Sequence, residues 1–154
     1  MHVEIRTLPE LRVAAVRHLG PYDRISEAFA RLGGIALDAG LFGPQGAMLA
    51  IYHDDPRVTS PELLRSDAAL VVERDRALPP EVCEAWIPAG RYACTKHVGP
   101  YGELGAAWIR FLTSWLEPSG YRRAPGPTYE HYCNTPAEVP EEELLTELYL
   151  PLEA

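Results

Sequence analysis

The residue whose neighbours raise a chemical question is Glu147. It stands in Leu144-Leu145-Thr146-Glu147-Leu148-Tyr149-Leu150-Pro151-Leu152. An extended chain sends successive side chains to opposite faces, so Thr146, Leu148, Leu150 and Leu152 share one face and Leu145, Glu147 and Tyr149 share the other. Both sets are apolar apart from Thr146 and Glu147, which predicts a strand covered on both sides. A carboxylate on a covered face is costly unless it is paired, hydrogen-bonded or protonated. Two readings follow. Glu147 is an acid at the floor of an apolar pocket, aimed at a cation or a developing positive charge. Alternatively it forms a salt bridge with one of the 14 basic residues, or faces solvent on an edge strand. Tyr129, Tyr132, Tyr149, Trp86, Trp108 and Trp115 crowd into the second half of the chain. Flat π faces beside an acid suit flat or cationic organic molecules. Trp108, Phe111 and Trp115 also fall on one helical stripe, the pattern of a core face.

Other chemistries find little support. His18 and His97 each precede a Gly-Pro turn and read as structural. Five histidines without a His-x-x-x-His pair or a nearby cysteine pair predict no metal site. Phosphate-loop, dinucleotide-binding and serine-hydrolase motifs are absent from the sequence, and no cofactor is expected. Asp54-Asp55-Pro56 reads as a turn, with Arg65 as a candidate partner. Glu141-Glu142-Glu143 reads as a solvated loop. Cys83, Cys94 and Cys133 are an odd set without Cys-x-x-Cys, as in buried or free thiols of a reducing compartment.

The elements that position these residues come as a repeat. His18-Leu19-Gly20-Pro21-Tyr22 recurs as His97-Val98-Gly99-Pro100-Tyr101, 79 positions later. From Gly40 onward the spacing is 80, as in Gly40/Gly120, Tyr52/Tyr132, Pro56/Pro136 and Leu64/Leu144. The second copy has therefore gained one residue in or next to its helix. At this spacing Asp67 is the counterpart of Glu147.

Alternation over Val3–Thr7, Arg12–His18, Met48–Tyr52 and Ala68–Glu73 predicts strands, as do Val82–Ile87, Arg91–His97, Thr128–Cys133 and Leu144–Leu152. Two helices follow the Gly-Pro turns, with Pro21 and Pro100 at their first positions. One carries Ile25, Phe29, Leu32 and Ile35, and the Gly33-Gly34 pair is expected to weaken or kink it. The other carries Leu104, Trp108, Phe111 and Trp115. Each half reads strand, strand, helix, strand, strand. The fold class is α+β, one domain over 1–154, with half-repeats of about 1–77 and 80–154, a mainly antiparallel sheet and two long helices.

Net charge is −8, from 22 acidic against 14 basic residues, which argues against direct nucleic-acid binding and against an anionic membrane. No apolar run reaches the roughly 18 residues of a membrane span, and the strand-like start does not read as a signal peptide. A cytoplasmic protein is expected.

The chain resembles the gyrase-inhibitor-like (GyrI-like) family, which also supplies the effector-binding domains of AraC-type and MerR-type multidrug regulators. The matching pieces are the His-x-Gly-Pro-Tyr repeat, Tyr52-His-Asp-Asp-Pro56, Leu64-Arg-Ser-Asp67, Tyr132-Cys-Asn-Thr-Pro136 and Glu143–Leu152. Where the family often has Asn-Asp-Pro, this chain has Asn134-Thr135-Pro136. The resemblance implies two strand-helix-strand-strand modules with a ligand cleft between them. It implies that Glu147 contacts bound ligand, with Tyr149, and then Tyr132, Trp108 and Trp86, as aromatic lining. It implies binding of a small, hydrophobic or cationic organic molecule, as in multidrug binding or toxin resistance. It offers two alternatives: hydrolysis of cyclopropane-bearing alkylating toxins, with Glu147 as the catalytic group assisting attack of water as general base or electrostatic stabiliser, and inhibition of DNA gyrase. The related regulators carry a DNA-binding helix-turn-helix, for which this acidic chain shows no sequence.

Overall fold

Eight strands and two helical stretches form among the described residues of the computed structural model, 1–43 and 46–154. Pro44 and Gln45, in the turn-rich loop expected over 42–46, lie outside them. The elements are β1 (Val3–Leu8), β2 (Leu11–Leu19), α1 (Ser26–Ala39), β3 (Met48–Tyr52), β4 (Arg65–Val71), β5 (Cys83–Ile87), β6 (Gly90–Val98), α2 (Leu104–Arg110), β7 (Thr128–Tyr132) and β8 (Leu145–Leu152). The α+β class and the repeated order strand, strand, helix, strand, strand are as the sequence predicts. Among the described residues no helix is long and apolar enough to cross a membrane.

The chain divides into two compact units, Pro9–Ala89 and Met1–Leu8 with Gly90–Ala154. In the first, antiparallel pairing gives the order β3-β4-β2-β5. In the second it gives β1-β6-β8-β7. The units thus differ from the sequence halves by one strand each way, because β1 pairs with β6 and β5 with β2. In the first unit, Ala28, Leu32 and Ala36 of α1 bury against Ala14, Val16, Ala68 and Leu70. In the second, Leu104, Ala107 and Phe111 bury against Ala93, Leu148, Leu150 and Leu152. The helix therefore covers the Thr146–Leu152 face of β8, and Glu147 points to the opposite face.

Beyond Arg110 the second helix continues as a π-helical stretch, Phe111–Leu116, and a last turn, Glu117–Ser119. A π stretch takes up one residue more than an α-helix over the same path. This places the extra residue of the second repeat. Ala28/Ala107 and Leu32/Phe111 keep the spacing of 79, whereas Ile35/Trp115 and Gly40/Gly120 have 80. The insertion lies between Phe111 and Trp115, and the wider turn keeps both on the core side. Gly40 (φ 64°) and Gly120 (φ 83°) close the two helices in the left-handed region.

The helix α1 runs through Gly33-Gly34 without interruption, between fully buried Leu32 and Ala36. Two expectations are corrected. Pro21 and Pro100 are extended (ψ 138° and 148°) and precede short 3₁₀ turns, Tyr22–Arg24 and Tyr101–Glu103, so neither occupies a first α-helical position. The strand expected over Ala68–Glu73 is Arg65–Val71: Arg65 and Ser66 pair with Leu19 and His18. The Glu73 carbonyl instead accepts a 2.7 Å bond from Arg12.

The repeated motif is a turn lock. Gly20 (φ 120°) and Gly99 (φ 141°) need conformations that side chains resist. From there their N–H groups donate to the carbonyls of Leu64 (2.9 Å) and Leu144 (2.8 Å). His18 Nε2–H donates to the Pro21 carbonyl at 2.9 Å. Tyr22 donates to the Asp54 carbonyl at 2.6 Å, and Asp54 Oδ2 accepts from the Arg65 N–H at 2.8 Å. Asn134 Oδ1 plays the same part for the Leu145 N–H at 2.8 Å. Gly20→Ala is expected to destabilise the protein by about 1–3 kcal/mol, through backbone strain rather than collision. A lowered urea midpoint with an unchanged slope checks it.

Candidate functional site

The site is built on the face of the second unit opposite its helix. Cross-strand neighbours place Tyr129 beside Tyr149 and His131 beside Glu147, and on the other side of β8, Cys94 beside Tyr149 and Lys96 beside Glu147. Cys133, two residues past His131, lies on the same face. Glu147 has a side chain 16% exposed. Its Oε1 accepts a bond from the Tyr149 hydroxyl at 3.0 Å and one from His131 Nδ1 at 3.0 Å. Burial alone would raise this carboxyl. The hydrogen bonds from Tyr149 and His131 outweigh it and hold the group below the usual glutamate range. An ionised carboxylate only accepts, so His131 carries its proton on Nδ1.

The rings behind the acid are tightly ordered. Tyr149 stacks on Tyr129 with centroids 4.5 Å apart and planes at 6°, and Tyr92 meets Tyr129 edge-on at 5.8 Å. All three are buried. Burial, then the charge of Glu147, raises the Tyr149 hydroxyl well above its ordinary value, so it acts as a neutral donor. Burial and the Glu147 charge push the Cys133 thiol up to about 11, which leaves it a poor nucleophile on its own.

The counterpart acid shows what is unusual here. Asp67 lies on the equivalent face of the first unit. Its Oδ1 takes a 2.7 Å bond from Arg17 and its Oδ2 a 2.6 Å bond from His53. Burial would raise Asp67, but these two partners bring it below the ordinary range. Arg17 lies opposite Asp67 in register, just as Lys96 lies opposite Glu147. Yet among the described residues no lysine or arginine forms an ion pair with Glu147. One acid is closed by a guanidinium. The other is held ionised by a phenol and an imidazole.

The remaining sequence candidates sit elsewhere. Tyr132 and Trp108 are on the helix-covered face and pack with Phe111 and Leu148. Both donate to Glu130, from Trp108 Nε1 at 2.8 Å and from the Tyr132 hydroxyl at 2.8 Å. Trp86 is on β5 of the other unit, donates to Glu84 at 3.2 Å, and carries Arg74 over its ring at 5.2 Å. Sequence reasoning named Glu147 and Tyr149 but missed Glu130, a carboxylate 1% exposed. It also missed His131 and Cys133. The available signal was the alternation Tyr129, His131, Cys133 on a strand adjacent to β8.

A family model described as the GyrI-like small-molecule-binding domain matches residues 1–153. The chain belongs to the GyrI-like family. A GyrI-like relative named DNA gyrase inhibitor, from Erwinia billingiae (strain Eb661), is 33% identical over 158 residues, covering 99% of this chain and 97% of the relative. The crystal structure of the EcmrR C-terminal domain shares the fold, with a TM-score of 0.83 at 22% identity over 99% of this chain and 97% of that one. The chain spans 57% of the EcmrR chain seen in a DNA complex. The structure of SAV2435 bound to tetraphenylphosphonium gives a TM-score of 0.72 at 12% identity, covering 100% of this chain and 95% of that one. These structural likenesses establish the GyrI-like fold. The Glu147 carboxyl is expected to titrate below the ordinary glutamate range in side-chain carbon NMR. Tyr149→Phe removes a donor to the ionised form and is expected to raise the Glu147 midpoint. An unmoved or lowered midpoint contradicts the hydrogen-bond account.

Proposed function

We propose that this GyrI-like chain binds small, hydrophobic organic cations, and that Glu147 supplies the opposing charge. The observation that carries this reading is the asymmetry between the acids: Glu147 is partly covered and ionised with His131 beside it but no lysine or arginine among the described residues, whereas Asp67 has Arg17 as well as His53. A carboxylate in a poorly solvated place gains most from a cation that brings little water with it, since Coulomb attraction grows as the local dielectric falls. Tyr149, stacked on Tyr129, holds the acid in one orientation. Pre-ordering of this kind removes part of the entropic cost of binding.

A second reading comes from the names of the relatives: inhibition of DNA gyrase. It is tested by a supercoiling assay with added protein, where unchanged gyrase activity at micromolar protein would exclude it.

Tetraphenylphosphonium is the first probe, because it is a hydrophobic cation without hydrogen-bond donors. Calorimetry is expected to show binding that weakens at least about tenfold, or 1.4 kcal/mol, in Glu147→Gln. Asp67→Asn is expected to leave the affinity within about twofold. Wild-type affinity is expected to fall as the pH drops through the Glu147 midpoint, because protonation removes the charge that the cation meets. Equal affinity of wild type and Glu147→Gln would contradict the proposal.

A further inference from the structure

Two side chains on the Glu147 face, His131 and Cys133, converge on its carboxylate. His131 Nδ1, Cys133 Sγ and a Glu147 carboxylate oxygen all lie within 4.8 Å of one another. His131 Nδ1 is 3.0 Å from Glu147 Oε1 and 4.0 Å from Cys133 Sγ. A thiol–imidazole–acid relay needs the thiol and the acid on different ring nitrogens. Here one nitrogen meets both, so the three atoms surround a point instead of forming a chain. We propose that His131 Nδ1, Cys133 Sγ and Glu147 form a site for a zinc-class divalent metal ion.

The geometry is close to what such an ion requires. Zinc bond lengths of about 2.0–2.3 Å at tetrahedral angles separate ligand atoms by about 3.3–3.6 Å. The nitrogen–oxygen gap must open and the nitrogen–sulfur gap must close, each by about half an ångström or less, and the sulfur–oxygen gap, within 4.8 Å, must close by up to about 1.3 Å. Side-chain rotation suffices, because the backbone is already in place. His131 and Cys133 are two residues apart along the chain, and His131 is the cross-strand neighbour of Glu147. Tyr149 holds the Glu147 carboxylate from behind, the usual task of an outer-shell donor. Cys133 is exposed, so a fourth position faces solvent. Thiolate, imidazole and carboxylate together favour Zn²⁺ and Co²⁺ over Mg²⁺ and Ca²⁺.

Protons balance simply. On coordination Cys133 releases its thiol proton to solvent. His131 moves its proton from Nδ1 to Nε2 and stays neutral. Glu147 is already ionised, so one proton leaves per ion bound. The sequence expectation of no metal rested on missing His-x-x-x-His and cysteine-pair spacings. A same-face pair on one strand plus a neighbour on the next has no fixed spacing to find.

The site shares Glu147 with the cation reading but does not rest on it. Full-length protein freed of metal with a chelator is titrated with Co²⁺. One equivalent is expected to bind, with a thiolate-to-cobalt charge-transfer absorption that Zn²⁺ abolishes and Mg²⁺ does not. Cys133→Ser is expected to lose the absorption, and His131→Gln to weaken Co²⁺ binding at least about tenfold, both with wild-type circular dichroism. No charge-transfer absorption in the wild type, or one retained in Cys133→Ser, overturns the site. Tetraphenylphosphonium binding is measured on the wild type with chelator present, so each reading can fail without the other.

Discussion

A carboxylate on a covered sheet face must find donors, and this requirement organises both repeats. Each module places an acid near the start of its last strand, on the face away from the helix. In the first, the neighbouring strand answers with Arg17, and His53 completes the pairing. In the second, the same register position holds Lys96, which makes no ion pair with Glu147, and the donors are the Tyr149 hydroxyl and His131. These donors keep the acid ionised, with no lysine or arginine among the described residues paired to it. The duplicated fold thus carries one acid closed by an arginine and one that is not.

The rest of the fold serves to fix that position. Helix packing on Leu148, Leu150 and Leu152 sets which face Glu147 occupies, since a register slip of one residue would send it into the core. The glycine turn ties the end of β6 to the start of β8 through the bond from Gly99 to Leu144. The π-helical stretch lets the second helix carry an extra residue while Phe111 and Trp115 stay on the core side. Trp108 reaches Glu130 from that helix. The second unit therefore buries acids on both faces of one sheet, with indole and phenol donors to Glu130 on one side and phenol and imidazole donors to Glu147 on the other.

Much of this was legible in the chain. The repeat spacing gave the order of elements, and the step from 79 to 80 pointed to an insertion near the second helix. Alternation in Leu144–Leu152 singled out Glu147 and Tyr149 as same-face neighbours, because period-two patterning survives in any covered strand. What stayed hidden depends on contacts between strands. Nothing in the spacing of Arg17 and Asp67, or of His131 and Glu147, announces that each pair is adjacent. Tyr132 and Trp108 look like pocket aromatics in a list of ring residues, but strand parity puts Tyr132 on the helix side and Trp108 lies on the helix itself. Trp86 falls in the other unit because β5 pairs with β2, an exchange that local patterning does not encode.

The central claim is that the charge of Glu147, not that of Asp67, is the one a cationic ligand meets. Carboxyl carbon NMR of both residues during addition of tetraphenylphosphonium tests it directly. A nearby positive charge favours the ionised acid, so the Glu147 midpoint should fall further on binding while that of Asp67 stays fixed. A saturating ligand that leaves Glu147 unmoved, or that shifts Asp67 instead, would contradict the account.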